Sequence, residues 1–344
     1  MKALVKYAVG EGNVGILDVP DPICGEKQVK VEVAYCGVCG TDLHIVHDTF
    51  RNYPPVILGH EFAGKVIEVG RDVTGVTAGT AVTVLGATAV VCGKCQYCIS
   101  GNFIFCTERR GMGHGVNGAF AKYVVVRPDQ LYRIPEGLSL EEAALSEPFA
   151  VAIHAVTEIT DIRIGDTVLI SGPGPIGLLC LKLLVSAGIK TIVAGVSGDD
   201  ERLEAARRIG ASATVDVGEH SLVEAVCGQT GGTGVDIALE CAGHPNSVRE
   251  CLEVLRPMGR YTQVAICGSD IQFPIDKIFY KQLIMKGSIC YTANTWDRMM
   301  NIYAQGKLRL NDLVSASLPI TDWQTGFNLC MERQVIKVLM YPAE

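Results

Sequence analysis

The sequence predicts an α/β protein of two domains, one mostly β and one built on a doubly wound parallel sheet. Three observations predict it. The chain has 344 residues, long for a single core. Residues 1 to about 150 are broken by Gly and Pro into short β-branched runs. From about residue 167, apolar runs of strand length and helix length alternate.

In the first part, runs at 29–34, 63–69, 81–85 and 121–126 indicate an irregular, largely antiparallel β domain. In the second, 168–171 reads as a buried strand, 176–187 as a helix, 191–196 as a strand and 201–209 as a helix. The alternation continues through 213–217, 221–227, 236–241, 247–255 and 260–265. From about residue 290 the composition is mixed again, and the strand-like run 336–340 is expected to rejoin the first domain. A hydrophobic content of 48% with 19% charged residues describes a well-buried globular chain. The net charge of −7 opposes a grip on phosphate backbones, so no nucleic-acid partner is expected. The first residues lack a signal-peptide core, and no window reaches the roughly 18 apolar residues of a membrane span. No membrane partner is expected. Fourteen cysteines without a secretory signal then point to the cytoplasm, with thiols serving metals or packing.

Three motifs carry chemistry. Gly172-Pro-Gly174-Pro175-Ile176-Gly177 is a G-x-G-x-x-G that follows a strand and opens a helix, the context of a dinucleotide site. Gly172 permits the tight turn, Gly174 lets backbone approach a pyrophosphate, and Gly177 lets helix and strand pack closely. The acidic residue expected at the end of the next strand is missing, its place falling on Val196 or Ser197. NAD and NADP therefore both stay open. Asp199 and Asp200 either cap a helix or reach the ribose, and Arg202 either touches ribose or phosphate or faces solvent.

Cys92, Cys95, Cys98 and Cys106 form a C-x2-C-x2-C-x7-C run in a segment of loop composition. Four thiolates at this spacing suit zinc and leave no coordination position open, so this site is expected to be structural. A second cluster combines Cys39, from Cys36-Gly-Val-Cys39-Gly-Thr41-Asp42-Leu-His44, with His60 and Glu61 of Gly59-His60-Glu61. A thiolate, an imidazole and a carboxylate make the kind of set that keeps a position for water or substrate.

Together these motifs resemble the zinc-dependent medium-chain alcohol dehydrogenases, in the family's order and over essentially the whole chain. The resemblance implies a split GroES-like catalytic domain, about 1–152 and 290–344, around a Rossmann NAD(P)-binding domain of about 153–289, with the active site in the cleft between them. Leu145-Ser146-Glu147-Pro148 is similar to the sorbitol, or polyol, dehydrogenase branch and adds Glu147 to the zinc environment. Whether Glu61 or Glu147 binds the metal directly stays open. By matching positions, Thr41 accepts the substrate proton, His44 relays it outward, and Asp42 orients His60. Ala265, Ile266 and Cys267 match the segment that passes the nicotinamide. The branch commonly has an Arg-Tyr pair where this chain has Tyr291-Thr292, which puts sorbitol itself in doubt.

The resemblance thus implies two zinc ions per chain, NAD or NADP, and oxidation of a secondary alcohol of a polyol or related substrate. Relatives are dimers or tetramers joined by edge-strand pairing, which residues 271–284 would supply here. A threonine 3-dehydrogenase-like activity and a non-catalytic cofactor-binding protein on the same fold are the alternatives. A zinc-ribbon nucleic-acid binder is opposed by the charge.

Overall fold

The segment Val29–Gly37 places its first three valines on the buried side and lysine and glutamate between them, the period of a half-buried strand. It forms the centre of the first unit of the computed structural model, which describes residues 1–343. That unit comprises 1–147 and 291–343, and the second comprises Pro148–Cys290.

The first unit begins with strands β1 (Lys2–Lys6), β2 (Val14–Asp18), β3 (Val29–Gly37), β4 (Val56–Ile57), β5 (Glu61–Val69), β6 (Ala81–Val84), β7 (Tyr123–Val126) and β8 (Leu131–Arg133). The second unit contributes β9 (Thr167–Ser171), β10 (Lys190–Gly195), β11 (Ala213–Asp216), β12 (Val235–Glu240), β13 (Leu255–Gln263) and β14 (Ile284–Gly287). The chain then returns to the first unit with β15 (Val314–Pro319) and β16 (Lys337–Tyr341).

In the first unit the larger sheet runs β15-β16-β3-β5-β6-β8, with β7 also paired to β3, and a small sheet runs β2-β1-β4. All pairs are antiparallel except β15 with β16. Strand β16 lies beside β3, Leu339 opposite Gly37 and Met340 opposite Cys36. The C-terminal segment is thereby part of the sheet that carries Cys36 and Glu61. Val31, Val33, Phe62, Val66, Val82, Phe120, Val338 and Met340 close one core around these strands. At about 25 cal/mol per Å² of apolar surface removed from water, such a cluster supplies the main driving force for this unit.

The second unit is a six-stranded sheet of order β11-β10-β9-β12-β13-β14, parallel throughout. Its central strand β9 is buried on both faces, as the full burial of the consecutive residues Val168, Leu169 and Ile170 shows. The strand order reverses between β9 and β12, the position at which open α/β sheets leave a crevice at their carboxyl ends. The helix Pro175–Ser186 leaves β9 through the glycine turn.

Three local features differ from the sequence expectation. The run at 121–126 enters its strand only at Tyr123, because Ala121 makes an isolated bridge to Ala3 instead. A sixth strand, β14, sits at the sheet edge, where exposed Ile284 and Lys286 gave no buried-strand pattern. The tail contains two full helices, Ala293–Ala304 and Trp323–Met331, in addition to its strands. The first is set by Thr292, whose side chain accepts from the Thr295 N–H. Among the described residues no helix is long and apolar enough to cross a membrane.

Candidate functional site

Cys92, Cys95, Cys98 and Cys106 converge, with all four sulfurs within 4.8 Å of one another. Local structure explains how. The backbone pair Val90–Arg110 closes the base of the lobe, and Cys95 precedes the short helix Gln96–Ile99. Backbone N–H groups of Cys92 and Cys95 point at the sulfurs of Cys106 and Cys92, each at 3.4 Å. N–H groups of Lys94 and Cys95 lower the Cys92 thiol to about 6, while burial and Cys95 push Cys98 up to about 12. Four sulfurs converging at this distance fit zinc, which takes all four as thiolates.

The second cluster brings Cys39, His60 and Glu61 together within the same 4.8 Å limit. Cys39 ends the loop after β3 and precedes the helix Gly40–Val46, while His60 and Glu61 lie at the start of β5. Register does the rest, since Gly37 faces Glu61 across β3 and β5. The bend before His60 is held by close backbone packing: a Cβ on Gly118 would fall 2.0 Å from the Gly59 carbonyl oxygen.

The charges around this cluster are buried and almost all negative. Asp42 is fully buried, its Oδ2 accepting the Cys39 N–H at 2.9 Å and so capping the helix start. Its Oδ1 lies 3.7 Å from His60 Nδ1, and neither atom has a hydrogen bond. At that distance the expected orienting contact is an electrostatic approach and not a hydrogen bond. Burial raises the Asp42 carboxyl against the pull of His60. Burial likewise pushes Glu147 up to about 7, opposed by His60. Burial disfavours the His60 imidazolium, but Asp42, Cys39 and Glu147 outweigh it and hold its pKa well above the ordinary value. The surrounding acids make this a buried, strongly anionic position. A sulfur, nitrogen and oxygen donor set around such a position fits zinc.

One cation is present that the sequence did not announce. Lys337, on β16 and 2% exposed, forms an ion pair with Glu61 Oε2 and donates to the Val38 carbonyl at 2.8 Å. The carboxylate oxygen has no hydrogen bond of ordinary geometry, so the contact is ionic. Burial works against the Lys337 charge, but Glu61 and Cys39 outweigh it and raise its pKa. The only signal available was a lysine inside an apolar strand run.

Thr41 is half-buried on the helix that follows Cys39, and Glu147 is nearly buried at the start of the helix Ser146–Ile153. Glu147 lies outside the group of three that share the 4.8 Å limit but is close enough to act on His60 and Glu61. The Tyr291 hydroxyl also reaches it. His44 is exposed, its Nδ1 3.1 Å from Thr49 Oγ1.

In the second unit the glycine turn has the geometry its motif requires. Gly172 has φ +107, and its N–H donates to Ala194 at 2.8 Å. A Cβ on Gly177 would lie 2.1 Å from the Gly172 carbonyl oxygen, so this glycine serves packing. Gly174 is different. Its φ is −70, it precedes Pro175 and Ile176 at the helix start, and a Cβ would meet nothing within 4 Å. No packing reason requires glycine there, whereas an anion seated on the helix N-terminus would fill that space. The site fits a dinucleotide. Ser197 is exposed just beyond β10, and Arg202 lies 3.4 Å from Asp199. Ala265, Ile266 and Cys267 follow β13, with the Ala265 N–H on the Glu240 carbonyl at 3.1 Å.

Comparison with known proteins follows the same two halves. Residues 25–136 match the alcohol dehydrogenase GroES-like domain, and 175–305 match the zinc-binding dehydrogenase family. The sorbitol dehydrogenase of Halalkalibacterium halodurans is 37% identical over 100% of both chains. The chain belongs to the zinc-binding alcohol dehydrogenase family. It is an oxidoreductase of that family's medium-chain, polyol-like branch, with a GroES-like and a Rossmann domain. A D-arabitol-phosphate dehydrogenase of Enterococcus avium is 33% identical, over 99% of this chain and 97% of the relative. A zinc-binding dehydrogenase of Sinorhizobium meliloti 1021, solved bound to NADP, superposes with a TM-score of 0.90 at 30% identity, over 99% of each chain.

Two substitutions test this geometry. Gly174→Ala is expected to change folding stability by no more than about 0.5 kcal/mol while weakening NAD(P) binding at least about tenfold. Urea unfolding and nucleotide titration measure the two effects. Lys337→Met strands the buried Glu61 charge and is expected to cost about 3 kcal/mol or more. Adding Glu61→Gln should recover most of that loss in a double-mutant cycle.

Proposed function

We propose that this dehydrogenase reversibly oxidises a secondary hydroxyl of a polyol, sugar alcohol or related polar alcohol to the ketone, using zinc and NAD(P). The observation that carries the reading is the convergence of the Cys39 thiol and the His60 imidazole on a buried position with Glu61 and Glu147 beside it. Support for the substrate class comes from relatives that are themselves a sorbitol and a D-arabitol-phosphate dehydrogenase. The Glu147-Pro148 sequence of the polyol branch adds to it.

Cys39 and His60 would hold the catalytic metal. Lys337 separates the roles of the two carboxylates: Glu61 already has a buried cation, so Glu147 is assigned the remaining ligand place and Glu61 keeps its ion pair. The zinc supplies Lewis acidity that lowers the pKa of an alcohol oxygen, and the nicotinamide supplies the hydride acceptor. The Thr41 hydroxyl takes the substrate proton, and the exposed His44, steadied by Thr49, returns it to solvent. Gly172, Gly174 and Gly177 seat the dinucleotide phosphates at the start of the helix Pro175–Ser186. The four-cysteine lobe would hold a second, structural zinc.

Assembly is assigned to the edge of the second unit. Strand β14 pairs on one side with β13, and Phe279, Tyr280 and Ile284 nearby are 78%, 81% and 52% exposed. An open edge flanked by bare apolar side chains suits pairing with a second copy.

The decisive experiment follows NADH and NADPH formation across sorbitol, threitol, sugar phosphates and threonine, alongside metal analysis. Polyols or their phosphates are expected to outrun threonine, with two zinc ions per chain and one in Glu147→Gln. No reduction of either nucleotide by any alcohol, in protein holding both ions, would sink the reading. Light scattering should show a dimer or tetramer, and Tyr280→Asp with Ile284→Lys should shift it toward smaller species.

A further inference from the structure

The S. meliloti relative of this fold was solved with NADP, so an NAD preference would lie in local charge at the adenosine end. In this chain the acidic residue that commonly reads the ribose 2′-hydroxyl at the end of the second strand is absent. Strand β10 closes with Gly195 and is followed by exposed Val196 and Ser197. Neither Asp199 nor Arg202 substitutes for it. Asp199 is 5% exposed and turned into its own loop, Oδ2 accepting the Val196 N–H at 3.2 Å. Its Oδ1 lies 3.4 Å from Arg202 Nη1, so that guanidinium, 11% exposed, is already matched by a carboxylate.

The neighbouring strand supplies an acid. Asp216 is the last residue of β11 and stands directly opposite Gly195 in the parallel register. Its Oδ1 accepts the Gly218 N–H at 2.8 Å and lies 3.4 Å from Ser197 Oγ. The loops after β10 and β11 are pressed together here, since a Cβ on Gly218 would fall 2.3 Å from Ser197 Oγ. Asp216 is half-buried, and its Oδ2 has no partner among the described residues. The glycine turn reaches the same corner: the Gly172 N–H bonds Ala194, and Pro173 packs where a Cβ on Gly195 would be, 2.9 Å away.

Resting on the dinucleotide reading above, we propose that Asp216, with Ser197, replaces the missing acid and makes the enzyme NAD-dependent. The free carboxylate oxygen accepts a ribose hydroxyl and repels a 2′-phosphate, while Arg202 is engaged by Asp199. Asp216 is a specificity-determining residue contributed by the third strand of the unit in place of the second.

The test measures kcat/KM with NAD and NADP, and Kd for ADP-ribose and its 2′-phosphate, on wild type and Asp216→Asn. Wild type is expected to favour NAD and ADP-ribose at least tenfold. Asp216→Asn, which keeps an oxygen for the Gly218 N–H, is expected to lower that ratio about tenfold, mainly by improving use of NADP. Equal losses for both nucleotides would place the carboxylate on the adenine ring and overturn the proposal, as would a wild-type preference for NADP. If Asp216→Asn fails to fold, the wild-type discrimination between ADP-ribose and its 2′-phosphate decides alone. Failure to bind any of the four ligands would instead overturn the dinucleotide reading itself.

Discussion

Burying several carboxylates beside a thiol and an imidazole is the constraint on which the first unit depends. Asp42, Glu61 and Glu147 are all nearly or fully removed from solvent, and Cys39 and His60 share the same small volume. Ionised carboxylates lose several kcal/mol of hydration each on such transfer, even after relaxation. Without positive charge the group would protonate or open. The sequence provides two remedies: a buried ammonium from Lys337, and a donor set that takes up a divalent cation.

That requirement explains a topological detail. Lys337 is the first residue of β16, which is inserted between β15 and β3. The C-terminal segment returns to the sheet of the first unit and brings its ammonium under the start of β5. Had the chain ended after the second unit, Glu61 would have no cation but the metal. The ion pair thus links the fold's chain order to the chemistry.

Much of this was legible because the informative residues lie close together in sequence. The four cysteines span fifteen positions, and the glycine turn is six residues between a strand and a helix. Local spacing alone carries such sites, and the alternating runs of the second unit carry its sheet. Lys337 and Asp216 were not legible, for physical reasons. Lys337 meets Val38 across 299 residues and acquires meaning only through β-sheet register. Asp216 sits one strand away from where the ribose acid is sought, and it is aligned with Gly195 only by parallel pairing. The helix Gly40–Val46 was missed because its start is capped by Asp42, which the motif presents as a metal-site residue.

The second unit solves the same problem of a buried acid without any cation. Glu240, fully buried at the end of β12, accepts from the N–H groups of Ala242 and Gly243, from Ser247 Oγ at 2.6 Å and from Gln263 Nε2 at 2.6 Å. Dipoles alone satisfy it, and its own carbonyl ties Val264 and Ala265. A carboxylate met by fixed donors needs nothing from outside, so it makes a rigid support for the loops beside the glycine turn. The carboxylates around His60 are met only in part, and Asp42 Oδ1 and His60 Nδ1 have no hydrogen-bond partner. An acid satisfied by the fold serves structure, whereas an acid left short of positive charge is where a ligand gains its binding energy. The contrast between Glu240 and the His60 cluster therefore separates, on electrostatic grounds, an acid met by the fold from acids grouped where a cation could bind.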